Sequence, residues 1–147
     1  MSVAEVERSG PFSRYEGVQR WFAVLSGAGV RLSLDGQTHD LTRDSGPVAF
    51  DGAATTACEL INGPTQDFNL MVRGGRSARM RRLAGDYRFV LKCRGTAAVY
   101  AIDAEATLQV DGESIVLPAQ SLAWRTLPVG TVVRVIAADA LWMEVAL

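Results

Sequence analysis

Apolar and polar residues alternate along most of this chain, in short runs bounded by turn-forming residues. Alternation places successive side chains on opposite faces of an extended backbone, so each run predicts a β-strand with one buried face. The runs predict fourteen strands, at 20–25, 29–34, 37–41, 47–50, 54–61, 67–73, 77–83, 87–93, 97–102, 106–110, 113–117, 121–125, 131–136 and 140–146. Between them stand Gly27, Asp35-Gly36, Asp51-Gly52, Asn62-Gly63-Pro64, Gly74-Gly75, Gly85-Asp86, Gly95, Asp111-Gly112 and Pro128-Val129-Gly130. Gly and Asn supply positive φ and Pro presets the turn. Turn signals recurring about every 8–12 residues predict a sandwich or barrel. No segment sustains a helical period, and Pro11–Gly17 holds at most one short turn.

The pattern is stated twice. Residues 32–41 read Leu-Ser-Leu-Asp-Gly-Gln-Thr-His-Asp-Leu, and residues 108–117 read Leu-Gln-Val-Asp-Gly-Glu-Ser-Ile-Val-Leu. Asp35-Gly36 and Asp111-Gly112, 76 positions apart, each sit between alternating segments, a strong hairpin signal. The similarity extends outward, from Val24-Leu25 against Ala98-Val99-Tyr100 to Pro47-Val48-Ala49-Phe50 against Ser121-Leu122-Ala123-Trp124. So long a period is not a solenoid repeat and predicts two copies of one β unit.

Composition narrows the partners. The formal net charge is −1 in 147 residues, so global charge offers nucleic acid or an anionic membrane no reason to bind. No apolar run is long enough to cross a bilayer, and the first residues lack the pattern of a signal peptide. Cys58 and Cys93 sit in apolar strand-like runs, one in each half. They read as buried free thiols in a reducing, cytoplasmic setting, with a disulfide between the halves as the alternative. Trp21, Trp124 and Trp142 read as core or interface anchors, and the strands at 131–136 and 140–146 as core.

Chemistry is harder to find. The only histidine is His39, read as a surface strand residue, so a metal site built from several imidazoles is impossible and no cofactor is expected. There is no nucleophile elbow and no phosphate-binding loop before a helix. Arg73, Arg76, Arg79, Arg81 and Arg82 fall within ten residues. They read either as a solvated connecting strand or as a site for a carboxylate or phosphate, which the guanidinium fork suits. In strand 67–73, Phe68, Leu70 and Val72 share one face, and Asp67, Asn69, Met71 and Arg73 share the other. That polar face, with Arg20 or Arg88 opposite, is the candidate ligand site. Arg pairs with a carboxylate, Asn donates and accepts, and Asp accepts from an amide, a set that suits an N-acylated acidic amino acid. The competing reading makes Asp67 and Asn69 structural, with Asp67 capping the turn at 62–66.

The segments Pro47-Val48-Ala49-Phe50-Asp51-Gly52, Cys58-Glu59-Leu60-Ile61-Asn62-Gly63-Pro64 and Gln66-Asp67-Phe68-Asn69-Leu70-Met71 resemble the HutD/Ves family. Its pattern runs Phe-x-Gly, a strand, Leu-x-x-Gly-Pro, then Asp-Phe-Asn-x-Met with an arginine after it. Ser2–Val6, Gly10–Ser13, Gly17-Val18 and Arg20 are similar to the family as well, so the resemblance covers the chain. It implies a cupin-like fold with two jelly-roll halves in one chain, and a tendency to dimerise. It also implies an association with histidine utilisation, through sensing or binding an intermediate such as formylglutamate, or with stress in the Ves-type relatives. Family members usually begin with a segment like Pro-Trp-x-Asn-Gly-Gly-Gly-x-Thr, and this chain starts just after its place. Its absence would leave an unpaired sheet edge for a partner chain to cover.

The expected protein is therefore all-β, a cupin-like double-stranded β-helix (jelly roll) with two barrel repeats in one chain, a bicupin divided as 1–83 and 84–147. It is expected to be a cytoplasmic homodimer that binds a small acidic ligand such as an N-acyl amino acid, without metal, nucleic acid or membrane. Asp67, Asn69, Met71, Arg73 and Arg20 are the expected ligand-binding residues. The function expected first is non-catalytic binding or regulation in amino-acid utilisation or stress response. The alternative is a metal-independent enzyme acting on a small polar or acidic substrate.

Overall fold

The computed structural model describes residues 1–147. Thirteen strands and no helix make up the chain, so the all-β expectation holds. No helix is long and apolar enough to cross a membrane. The residues divide into two compact units, Met1–Gly75 and Arg76–Leu147.

The N-terminal unit contains β1 (Ser2–Val6), β2 (Val18–Ser26), β3 (Val30–Leu34), β4 (Gln37–Leu41), β5 (Val48–Asp51), β6 (Thr56–Leu60) and β7 (Thr65–Arg73). Its sheets have the orders β1-β7-β2-β5 and β4-β3-β6, antiparallel throughout. Phe22, Val24, Val30, Leu32, Leu41 and Cys58 form its buried core. The C-terminal unit contains β8 (Ala78–Val90), β9 (Gly95–Ala101), β10 (Ala106–Val110), β11 (Glu113–Leu117), β12 (Ser121–Leu127) and β13 (Val132–Ala146). Its order is β11-β10-β13-β9-β12, with β8 also on β13.

The pairing scheme is the same in both units. In the first, β2 pairs β5 and β7, and β3 pairs β4 and β6. In the second, β9 pairs β12 and the end of β13, and β10 pairs β11 and the start of β13. The hairpins read from sequence are present: Asp35 and Gly36 have φ of 46° and 86°, and Asp111 and Gly112 have φ of 51° and 82°. Two consecutive positive values make a type I′ turn, whose twist matches the strands that it joins.

Several local expectations are corrected. The runs at 77–83 and 87–93 merge into the single strand β8, which ends at Val90, and those at 131–136 and 140–146 merge into β13. β8 and β13 pair on both sides of a bulge in which Ala138 and Asp139 oppose Ala84. The glycine read as a turn, Gly85, sits beside that bulge at φ 130°. β1 lay outside the expected strands, because Ser2–Ala4 and Glu5 are exposed on both faces and leave no alternation to read. Cys93 is exposed in the loop before β9, whereas Cys58 is buried as expected, and both thiols are free. Trp142 is buried, but Trp124 is 65% exposed.

Candidate functional site

The side chains of β7 are sorted by its neighbours. Across to β2 its register pairs Asp67 with Val24, Asn69 with Phe22, Met71 with Arg20 and Arg73 with Val18. Cross-strand partners share a face, so Asp67 and Asn69 lie on the face that carries Phe22 and Val24 into the core. The other face, with Phe68, Leu70 and Val72, is also buried. Both faces are covered, and the polar residues lie within the unit rather than on its surface.

Three of the five expected site residues meet there. Arg20 is 4% exposed, Asp67 1% and Asn69 6%. The Arg20 guanidinium donates to Asn69 Oδ1 at 2.8 Å, and Asn69 Nδ2 donates to Asp67 Oδ1 at 2.6 Å. Arg20 also donates to the carbonyl of Ser13 at 3.3 Å. Its guanidinium carbon lies 5.1 Å from the ring centroids of Phe12 and Phe50 and 5.9 Å from that of Tyr15. A buried cation faced by aromatic rings recovers part of its lost hydration from their quadrupoles. Arg20 Nε and Asp67 Oδ2 are buried with no protein hydrogen-bond partner. Buried polar atoms without partners are costly and uncommon, and Trp21 Nε1 is a third such atom.

The electrostatics follow from burial. Desolvation pushes the Asp67 carboxyl up to about 7, against the opposing pull of the Asn69 hydrogen bond and the Arg20 charge. Desolvation likewise weakens the hold of Arg20 on its proton, opposed by Tyr15 and Asp67. Burial, then the charges of Asp67 and Glu59, push the Cys58 thiol up to about 11, so it stays protonated at neutral pH. The cluster thus offers a fixed guanidinium donor and a carboxyl able to gain or lose a proton near neutrality.

Met71 and Arg73 continue the same face but are exposed at the end of β7. Arg88 lies on β8 in the other unit. Asp67 bonds to Asn69 rather than capping the turn at 62–66. Phe12, Ser13, Tyr15, Phe50 and Cys58 complete the surroundings of the cluster and were not among the expected site residues. Nothing local marks them, since they come from three separate segments that only the fold assembles. His39 is half-buried on β4, and no group of three or more His, Cys, Asp or Glu residues is placed to hold a metal ion.

The matching positions of the C-terminal unit carry different chemistry. There the register pairs Ala140 with Ala101, Trp142 with Val99 and Glu144 with Ala97. By strand equivalence Trp142 stands where Asn69 does, Ala140 where Asp67 does and Ala97 where Arg20 does. The small residues open an apolar cavity of about 170 Å³, walled by Ala97, Val99, Leu108, Leu127, Val133 and Trp142. The buried Arg20–Asn69–Asp67 cluster thus has no counterpart at these positions of the second copy, whose cavity also has Glu113, Trp124 and Arg125 in its lining.

Known proteins resemble this chain in sequence and in fold. The HutD family model matches residues 1–143. A Pseudomonas putida protein described as "Uncharacterized 21.2 kDa protein in hutC 3'region" is 32% identical over 116 residues, 78% of this chain and 60% of its own length. Protein Ves of Citrobacter koseri is 29% identical over 84% of this chain and 63% of its own length. The chain thus spans about three-fifths of the length of these curated relatives. The solved structure of HutD from Pseudomonas fluorescens SBW25 (formate condition) superposes with a TM-score of 0.81 at 30% identity, covering 98% of this chain and 76% of that one. The conserved protein of unknown function PA5104 from Pseudomonas aeruginosa PAO1 superposes with a TM-score of 0.85 at 27% identity, covering 98% and 80%. A cupin 2 conserved barrel domain protein from Leptotrichia buccalis, 12% identical with a TM-score of 0.52, shares the fold over 99% of this chain. The likeness is of the whole chain to one cupin domain, here made of two β units, and this replaces the expected bicupin. With its sequence matched nearly end to end and its fold shared, the chain belongs to the HutD family.

Proposed function

We propose that this protein is a non-catalytic binder or regulator in histidine and amino-acid utilisation, and that its N-terminal unit recognises a small acidic ligand such as an N-acyl amino acid. The observation that carries the reading is the buried Arg20–Asn69–Asp67 chain, with unpartnered atoms at both ends. Arg20 Nε–H is a donor suited to a carboxylate. Asp67, when protonated, adds an O–H donor, and Asn69 fixes the geometry between them. Phe12, Phe50 and Tyr15 supply an apolar wall for the methylene stem of such a ligand. Exposed Met71 and Arg73 extend the same face and would meet the ligand's outer end. The place of the P. putida relative, in the hutC 3' region by its description, supports the link to histidine utilisation.

The protein acts as a cytoplasmic homodimer in this reading. Its two free cysteines support a reducing compartment. Exposed Ile115 and Val116 on β11 and Trp124 on β12 supply apolar surface for a partner copy. A second reading, a metal-independent enzyme, has one observation in its favour: a carboxyl near 7 is poised for general acid–base work.

A thermal-shift titration with N-formylglutamate, N-acetylglutamate, glutamate and glutarate separates these readings. A binder gives a saturable rise in Tm for the N-acyl acids at pH 6, absent in Arg20→Met. Equal, non-saturable responses to all four acids would refute the ligand assignment. Turnover of the stabilising acid, abolished in Asp67→Asn, would establish the enzyme instead.

A further inference from the structure

The C-terminal unit carries a charge feature that the Arg20 cluster does not use. The sequence runs basic through β8, and the fold resolves that run into two groups. Arg82 is taken up by Asp139, with two hydrogen bonds of 2.8 and 2.7 Å. Arg134 pairs with Asp86, and Arg125 lies 3.6 Å from Glu113. Arg79, Arg81 and Lys92 form no hydrogen bond or ion pair, yet they converge with Arg88 on one pocket of about 180 Å³. Glu144 is the only carboxylate in its lining.

Four cations against one anion do not arise here from a basic protein, since the chain as a whole carries −1. Like charges held around a concavity repel, and this cost persists unless an anion offsets it. Arg88 stands across the ladder from Arg134, and the Asp86 carboxylate that Arg134 binds offsets part of the Arg88 charge, which leaves Arg79, Arg81 and Lys92 as the uncompensated cations of the pocket. Phe89 and Trp142 also line the pocket, stacked with centroids 4.3 Å apart and planes 3° apart. Their packing gives the cations a rigid base, with Trp142 itself 2% exposed. Arg79 and Arg81 are cross-strand partners of Glu144 and Trp142, so the strand register fixes their spacing.

We infer that the pocket bounded by Arg79, Arg81, Arg88 and Lys92 is a second binding site, for a small multivalent oxyanion: a phosphate ester or a di- or tricarboxylate. Guanidinium forks bind both headgroups through paired N–H donors. The site lies wholly in the unit that lacks the Arg20 cluster, so it stands or falls separately from the function proposed above. A longer nucleic acid strand fits less well, because the four cations are confined to one pocket of about 180 Å³ rather than spread along a groove.

The test is isothermal titration of the full chain with pyrophosphate and with citrate, at fixed ionic strength. Saturable 1:1 binding of either is expected, and the tighter of the two identifies the headgroup class. Arg79→Gln/Arg81→Gln should weaken it at least about tenfold. Arg8→Gln/Arg76→Gln, which removes equal charge outside both sites, should leave it within about twofold. Lys92→Gln, on the loop after β8, gives an independent loss if the double variant does not fold. Heat that tracks ionic strength without saturating, or equal loss in the two double variants, would overturn the site. So would tight binding of an oligonucleotide, lost in the Arg79/Arg81 variant, with no binding of either small anion.

Discussion

Asp67→Asn is a sharp probe of the polar cluster because its effect changes with pH in a calculable way. Burial raises the Asp67 carboxyl from 3.8 to about 7 in the folded protein. The folded state therefore holds this proton more tightly than the unfolded chain does. Below pH 3.8 both states are protonated and burial of the carboxyl carries no charge penalty. Between 3.8 and about 7 the unfolded chain ionises while the folded one does not, so stability falls with rising pH. Above about 7 the loss is complete. At about 1.4 kcal/mol for each pH unit between the two values, it totals about 4 kcal/mol. Asparagine is nearly the same size, stays neutral and still offers Oδ1 to Asn69. It removes the penalty and keeps the 2.6 Å hydrogen bond. Urea unfolding of both proteins at pH 5, 6, 7 and 8 reads this directly. The stability of Asp67→Asn relative to wild type should rise by about 3 kcal/mol from pH 5 to pH 8. Parallel stability curves over that range would refute the buried, proton-retaining carboxyl.

Four further outcomes follow from the structure. Gly29→Ala should destabilise the N-terminal unit by about 2–4 kcal/mol in urea unfolding, since φ is +107° and the new Cβ would meet the Leu41 carbonyl oxygen at 2.3 Å. Its neighbour in kind, Gly36→Ala, faces open space and should cost only about 1 kcal/mol. A thiol reagent should label Cys93 within seconds to minutes under native conditions and Cys58 only after unfolding, because Cys58 is 1% exposed with its thiol pushed up to about 11; equal labelling would contradict the fold. Trp142→Ala should destabilise by about 3–5 kcal/mol, by removing both the stack on Phe89 and the wall of the apolar cavity, and a change under about 1 kcal/mol would show that wall to be already loose.

Features set by nearby residues were legible in the sequence. Asp35-Gly36 and Asp111-Gly112 fix type I′ turns through their own backbone preferences, so the hairpins and their repetition were readable. Features set by distant pairing were not. Gly85-Asp86 and Ala137-Ala138-Asp139 each look like strand ends, and only their juxtaposition across the ladder makes them one bulge. β1 has no alternation because β7 gives it hydrogen bonds without covering either face. At the site, alternation put Asp67 and Asn69 on one face of β7. That the face turns inward depends on pairing with Phe22 and Val24 some 45 residues away. Met71 and Arg73 share that face by parity but run past the core, and parity alone cannot show where a strand leaves its barrel. The arginine run shows the same split: Arg82 found its carboxylate in Asp139, 57 residues on, while Arg79 and Arg81 did not.

The central claim is that Arg20 meets the acid group of a small ligand inside the N-terminal unit. Its Nε–H proton, unpartnered within the protein, is directly observable by nitrogen-edited NMR of arginine side chains. Adding N-formylglutamate at pH 6 should move this one resonance downfield, saturably and with the same midpoint as the rise in thermal stability. Saturable stabilisation with the Arg20 Nε–H signal unmoved would contradict the account.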